Sequence, residues 1–219
     1  MPHPARWASQ STPVDGPKTL ASQPERAART ALLSQPHVEA LARLVERMRQ
    51  AKGPSYEIPD FDPLDGGSNA EVLFLLEAPG PKAVASGFVS RNNPDETAKN
   101  FFQLNAEAGI DRRRTITWNA VPWYIGSGTK IRPAKCEDVR EADEWLKALL
   151  AILHQLRIVV FVGQKALHAQ GVVKCSRPDV EVMTMPHPSP MFINRASGNR
   201  GRVMAALQEL AVRMSTSDA

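Results

Sequence analysis

Four short apolar runs, each followed by a turn and then by residues at helical spacing, constrain what this chain can fold into. They occupy residues 72–76, 115–118, 158–162 and 180–185. Apolar, β-branched-rich runs of this length read as strands when turn residues close them. Pro79-Gly80 closes the first and Gly163 the third. Residues 94–108 read as a helix that starts near Asn93 or Asp95 and stops at Gly109. Residues 136–155 carry Val139, Ala142, Leu146, Leu149, Leu150 and Leu153 at helical spacing, and 197–214 form a last helix. Residues 164–170 read as a short helix closed by Gly171. This alternation predicts an α/β fold, a three-layer sandwich with a central four-stranded, mostly parallel sheet covered on both faces.

The rest of the chain frames that unit. Residues 1–35 are rich in Pro, Ser, Ala and Gln without a lasting period, and read as a mostly disordered arm. In Pro36–Lys52, Val38, Leu41, Leu44, Val45 and Met48 mark an amphipathic helix, and residues 53–69 form a loop into the core. The 219 residues thus divide into an arm, 1–35, and one domain, 36–219. A net charge of +4 mildly favours an anionic partner such as nucleic acid. The two cysteines, Cys136 and Cys175, form no CxxC pair and support neither a disulfide framework nor a four-cysteine zinc or iron–sulfur site. They read as reduced thiols in a cytoplasmic protein. No apolar run approaches the roughly 18 residues of a membrane span, and no secretory signal is visible, so no membrane partner is expected.

Parallel sheets bind ligands at the carboxyl ends of their strands, which directs attention to the loops after Leu76, Trp118, Val162 and Met185. The first runs Leu76-Glu77-Ala78-Pro79-Gly80-Pro81. It is either a plain exit turn or one that aims backbone N–H groups at a ligand. Asn119, in the second, either caps its own turn or reads the edge of a base with one acceptor and two donors. In the last, Pro186, Pro188 and Pro190 surround His187 and Ser189, exclude a helix and hold the imidazole rigidly. Nucleotide-binding glycine loops, HExxH and GxSxG are absent, and His3, His37, His154 and His168 lack metal-ligand spacing. Neither a metal nor a cofactor is expected.

Together and in this order, these loops resemble the uracil-DNA glycosylase superfamily. Glu77-Ala78-Pro79-Gly80 is similar to the first motif of its iron–sulfur branch, often called family 4, and His187-Pro188-Ser189-Pro190 to the superfamily's last motif. Gly87-Phe88-Val89 resembles the segment whose ring stacks on uracil, and 115–119 the strand ending in the base-reading Asn. Val162-Gly163 with Ala166 resembles the third-strand turn, so the likeness spans roughly residues 70–214.

The resemblance implies a glycosylase that excises uracil or another deaminated base from DNA. Phe88 would stack on the extruded base, Asn119 would read its polar edge, and His187 would donate to the oxyanion forming at O2. The backbone of Glu77 and Ala78 would add donors. Ser189 would meet a phosphate, Met191 or Phe192 would fill the vacated stack, and Arg195, Arg200 and Arg202 would meet phosphates. Arg112, Arg113 and Arg114, on the far side, read as solvated. The chain departs from family 4 at Leu76, at Ala78 and at Pro81-Lys82-Ala83, and Trp123 stands about where a cluster cysteine would. No iron–sulfur cluster is therefore expected, and the water-activating group falls to Glu77, with Asp95 and Asn92 behind it. The resemblance also implies a monomer. Two other readings stand beside it: a DNA-binding module without hydrolysis, favoured by Ala78 and Ala83, and an enzyme or binder for a nucleoside or nucleotide ligand.

Overall fold

The structure is a computed structural model that describes residues 12–128 and 130–216. In chain order its elements begin with α1 (Gln23–Thr30), α2 (Pro36–Lys52), β1 (Asp60–Phe61) and β2 (Val72–Leu76). Next come α3 (Pro81–Ser86), β3 (Phe88–Val89), α4 (Glu96–Glu107) and β4 (Thr115–Asn119). The hairpin strands β5 (Gly126–Ser127) and β6 (Lys130–Ile131) lead to α5 (Cys136–Ile152) and β7 (Ile158–Val162). The chain ends with α6 (Gln170–Ser176), β8 (Glu181–Met185), α7 (Pro190–Ile193) and α8 (Asn199–Ser215).

Strands β4, β2, β7 and β8 form one parallel sheet in that order. Period-two alternation sends the strand residues into two cores. Leu73, Leu75, Ile116, Trp118, Val159 and Phe161 pack beneath α2 and α5. Val72, Phe74, Ile158, Val160 and Val162 pack beneath α4 and α8. Both faces are thus covered, as the near-continuous apolar runs require. Asp95 caps α4 by accepting from Ala98 N at 2.9 Å.

Several expectations change. The helix placed at 164–170 is a 3₁₀ turn, Lys165–Ala169, running into α6, so Gly171 lies inside a helix rather than closing one. The proline-rich last loop stays non-helical only to Ser189. Pro190 then opens α7, because a proline costs nothing in a helix's first turn, where its missing N–H has no partner to lose. Short pieces escaped the sequence reading: β1 paired with β3, and the β5–β6 hairpin. Strands of two residues carry no period.

The arm is the main correction. Its residues 1–11 lie outside the described residues, but from residue 12 onward the chain packs against the domain. Arg29 on α1 is fully buried and reaches both oxygens of Asp62 at 2.6 and 2.7 Å. Its Nη2 donates to Val14 O at 2.9 Å. Leu20 is buried and donates its N–H to Asn92 O at 3.2 Å. This segment is held mainly by charge pairing, which leaves no apolar period to read.

Arg112 is likewise corrected: it is buried, bonding Asp62 at 2.6 Å and Asp65 at 2.7 Å. Arg114 pairs with Glu71, while Arg113 is exposed. Asn92 belongs to the same cluster. Its amide donates to Asp15 Oδ1 at 3.0 Å and to Gly16 O at 2.7 Å, and accepts from Arg112 and Arg29. Burial alone would raise the Asp62 carboxyl, but Arg112 and Arg29 beside it, with the Ser90 hydroxyl, bring it down to about 2. A buried pair that loses one charge strands the other, at about 3–5 kcal/mol. We expect Asp62→Asn to lower stability in urea by that amount at pH 7. The deficit should shrink as pH falls from about 4 toward about 2, where the native carboxylate is itself lost.

Candidate active site

The order of strands decides where a pocket opens. β2 and β7 are neighbours, yet the chain leaves β2 toward β4 on one side and leaves β7 toward β8 on the other. Their exit loops part, and a crevice forms between them. A cleft of about 650 Å³ lies there. Glu77 and Ala78 line it from β2, Asn119 from β4, Gly163 from β7, and His187 and Ser189 from β8. Helix α4 contributes Ala98 and Phe101 to its wall. Register brings these strand ends level, with Leu76 opposite Asn119 and Val162 opposite Met185.

On β4, Ile116 and Trp118 enter a core, while Thr117 and Asn119, two apart, line the cleft. Asn119 is buried, and its Nδ2 has no hydrogen-bond partner among the described residues; Thr117 Oγ1 is in the same position. A buried donor left unpaired costs about 1–3 kcal/mol. A ligand carbonyl would relieve that cost. Main-chain bonds hold the loop beyond β4 in place, from Ala120 N to Leu76 O at 2.7 Å and from Val121 N to Glu77 O at 3.0 Å.

His187 lies against the turn after β7. Gly163 has φ 82°, and a Cβ there would stand 3.2 Å from His187 Cβ. Only glycine combines that backbone with so close an approach. Asn100 Nδ2 donates to Pro188 O at 3.0 Å, fixing the loop to α4. Burial holds the imidazole below its usual value near 6.5, and the Glu77 carboxylate pulls the other way. At neutral pH the ring is therefore uncharged and has one N–H to offer.

The other expected residues divide. Glu77 lines the cleft, and its Oε1 accepts from Ala134 N at 2.6 Å, tying the chain after β6 to the first loop. Asp95 also lines the cleft, and burial raises its carboxyl. Asn92 does not line it, because the ion cluster uses its amide. Phe88 is buried in β3 away from the lining; the aromatic ring on the cleft is Phe101, packed edge-on against Phe74 at 4.9 Å. Nothing in the helix pattern of α4 distinguishes Phe101 from a core residue. Thr117 was more legible, since alternation puts it on the face of Asn119.

Met191 lines the cleft and is 83% exposed, whereas Phe192 is half-buried against the second core, with Arg202 over its ring at 5.6 Å. Ser189 caps α7, its Oγ accepting from Phe192 N at 3.3 Å. Arg195 is exposed just beyond α7, and Arg200 pairs with Glu107. Among the described residues no group of three or more His, Cys, Asp or Glu is placed to hold a metal ion. A cluster held by four thiolates does not fit a chain with two cysteines. Trp123, at the position compared with a cluster ligand, is buried edge-on to Tyr56.

The opposed influences on His187 can be read by NMR. We expect its ring to titrate below 6.5, and in Glu77→Gln to titrate lower still, because the only charge raising it has gone. An unchanged or higher value in the variant would refute this pairing.

The sequence profile of the Uracil DNA glycosylase superfamily matches residues 63–211. A solution NMR structure of a candidate uracil DNA glycosylase from Methanosarcina acetivorans is 16% identical, with a TM-score of 0.46 over 65% of this chain and 92% of that one. No curated protein matches the chain. The profile covers more than half of the sequence, and the chain belongs to the uracil-DNA glycosylase superfamily.

Proposed function

We propose that the protein is a DNA glycosylase that hydrolyses the N-glycosidic bond of uracil, or of another deaminated base, and so initiates base excision repair. The observation that carries this reading is the pairing of two groups on one cleft: the buried, unpartnered Nδ2 of Asn119 and the neutral imidazole of His187. The first suits a carbonyl on the base's polar edge. The second suits an oxyanion that develops during the reaction.

The base leaves the duplex to enter the cleft, since its glycosidic bond is out of reach inside the stack. Asn119 Nδ2 donates to O4 and its Oδ1 accepts from N3–H, a pattern cytosine does not match. Phe101 takes the place expected of Phe88 as the ring surface within the cleft. As the C1′–N bond breaks, its electron pair moves onto the base, and the His187 N–H meets the charge growing at O2. A neutral donor suits this task because it stabilises the oxyanion without needing to give up its proton. Backbone N–H groups of Glu77 and Ala78 add to the stabilisation. A water oxygen then bonds to C1′ of the oxocarbenium-like sugar and gives its proton to the Glu77 carboxylate.

We assign that water to Glu77. One of its oxygens is committed to Ala134, and the other has no partner among the described residues. Asp95 is the second acid on the cleft, but its Oδ1 is committed to capping α4 through Ala98 N. Ser189 and Arg195 would meet phosphates, and Met191 would enter the vacated stack. The partner is DNA carrying a deaminated base.

The test uses single- and double-stranded oligonucleotides containing uracil, hypoxanthine or xanthine. Abasic sites should form with the native protein. His187→Ala should slow them about 100- to 1000-fold, the usual effect of losing one such donor. Asn119→Asp should sharply lower uracil excision; unchanged excision would remove the base-reading role. Tight DNA binding without abasic products would instead identify a binding module, which Ala78 would suit. Neither binding nor excision would point to a free nucleoside or nucleotide ligand.

A further inference from the structure

Among the described residues, exposed large apolar side chains are few: Val14, Ile131, Met191 and Val212. Two of the four, Ile131 and Met191, line the cleft, 44% and 83% exposed. Met191 follows β8 at one edge of the sheet. Ile131 lies on the β5–β6 hairpin, which follows β4 at the other edge. Three strand spacings separate those edges, about 14 Å. Between the two side chains lies the mouth of the cleft.

The hairpin is held firmly enough to present a side chain. Tyr124 Oη donates to Gly128 O at 2.9 Å across its turn, and Gly126 is packed so tightly that a Cβ would fall 2.3 Å from Lys130 O. Its return limb is pinned twice. Glu77 takes the Ala134 N–H, and Arg132 grips both oxygens of Asp138 at 2.7 and 2.6 Å. A well-anchored hairpin that leaves an isoleucine in water has an unspent apolar contact.

The charges around the mouth indicate what the contact meets. Lys82 and Lys165 line the cleft and are exposed, and neither makes an ion pair among the described residues. Elsewhere the cations divide: Arg43, Arg49, Lys52, Arg113, Arg132, Arg157, Arg177 and Arg213 each meet a carboxylate, whereas Arg47, Arg140, Lys147 and Lys174 are exposed without one among the described residues, so it is the coincidence with apolar side chains that sets Lys82 and Lys165 apart. Unpaired cations beside exposed apolar groups fit a polyanion with apolar faces, which describes a nucleic acid with its stacked bases.

Resting on the glycosylase reading, we propose that the β5–β6 hairpin is a second DNA-gripping element. Ile131 presses on the duplex from the β4 end of the cleft, while Met191 enters from the β8 end. The two side chains sit on separate elements that follow opposite edges of the sheet, so we assign them to different positions on the duplex. Met191 occupies the stack the extruded nucleotide leaves. Ile131 braces the duplex to one side and keeps it bent toward the cleft. Glu77 thereby acquires a positioning role, since its bond to Ala134 sets the hairpin against the first loop.

The experiment measures binding of the full chain to a duplex holding a tetrahydrofuran abasic analogue, by fluorescence anisotropy, with excision assayed in parallel on uracil-containing single strands and duplexes. Ile131→Ser should weaken binding about tenfold, the worth of one lost apolar contact. It should slow excision more on duplex than on single strand. Ile131→Met should restore binding, because any apolar side chain of similar size serves. Val212→Ser, which removes a still more exposed apolar group on α8, should bind like the native protein. Lys82→Ala should flatten the dependence of log affinity on log salt by about 1, as a lost phosphate contact does. Native-like binding by Ile131→Ser, or an equal loss in Val212→Ser, would overturn the hairpin assignment while leaving the glycosylase reading intact. A native protein that binds the abasic duplex, weakened by Ile131→Ser, but excises nothing would keep the hairpin and remove the enzyme. A native protein that binds no DNA would remove both.

Discussion

The buried Arg–Asp cluster beneath β1 and β3 organises a large share of this molecule. Arg29, Arg91 and Arg112 supply three positive charges, Asp62 and Asp65 two buried negative ones, and Asp15 a third at the exposed edge. Such a set tolerates burial only when complete, because each ion left unpaired in a low-dielectric interior is costly. Its members come from the first helix, the loop before β2, the segment before α4 and the turn before β4. Completing it therefore docks the N-terminal segment and fixes residues 90–93, three of which, Ser90, Arg91 and Asn93, also line the cleft. The far side of the pocket is built on charge balance rather than on apolar packing.

The cleft itself follows from topology. Parallel strands that diverge at their carboxyl ends open a crevice whatever their residues, and sequence then decides what the crevice holds. Gly163 lets His187 approach the sheet closely, and burial keeps the imidazole uncharged. Asn119 ends the edge strand with a donor that nothing among the described residues satisfies. A charged histidine or a satisfied amide would make an ordinary, stable strand end. The pocket is instead left short of partners on the side where a base's carbonyl would lie, the usual form of a site prepared for a ligand.

Glu77 joins these parts. The same side chain faces the cleft, biases His187 electrostatically and tethers the chain after the β5–β6 hairpin. Its placement directly after β2, the central strand between β4 and β7, explains this reach. A residue at that point lies beside both the strand that carries Asn119 and the turn that seats His187. With alanine at position 78, Glu77 is the acid of the first loop, and the tether to Ala134 and the charge facing His187 fall on one carboxylate.

Sequence alone determined the elements whose signals are local and periodic. The four strands are legible because residues buried on both sheet faces must be apolar without interruption, and the long helices because one face must be. His187 and Asn119 were legible because special residues at strand ends have few other uses. What escaped was everything held by pairing between distant segments. Asn92 looked available for water activation and proved committed to Asp15, Gly16 and Arg112. Residues 12–35 looked unstructured because an Arg–Asp bond across 33 positions leaves no period. Phe101 rather than Phe88 lines the cleft because which face of a helix or two-residue strand meets it depends on docking angles. Local propensity and alternation are written in the sequence; the partners of a buried charge and the ring that reaches a pocket were decided only when the chain closed on itself.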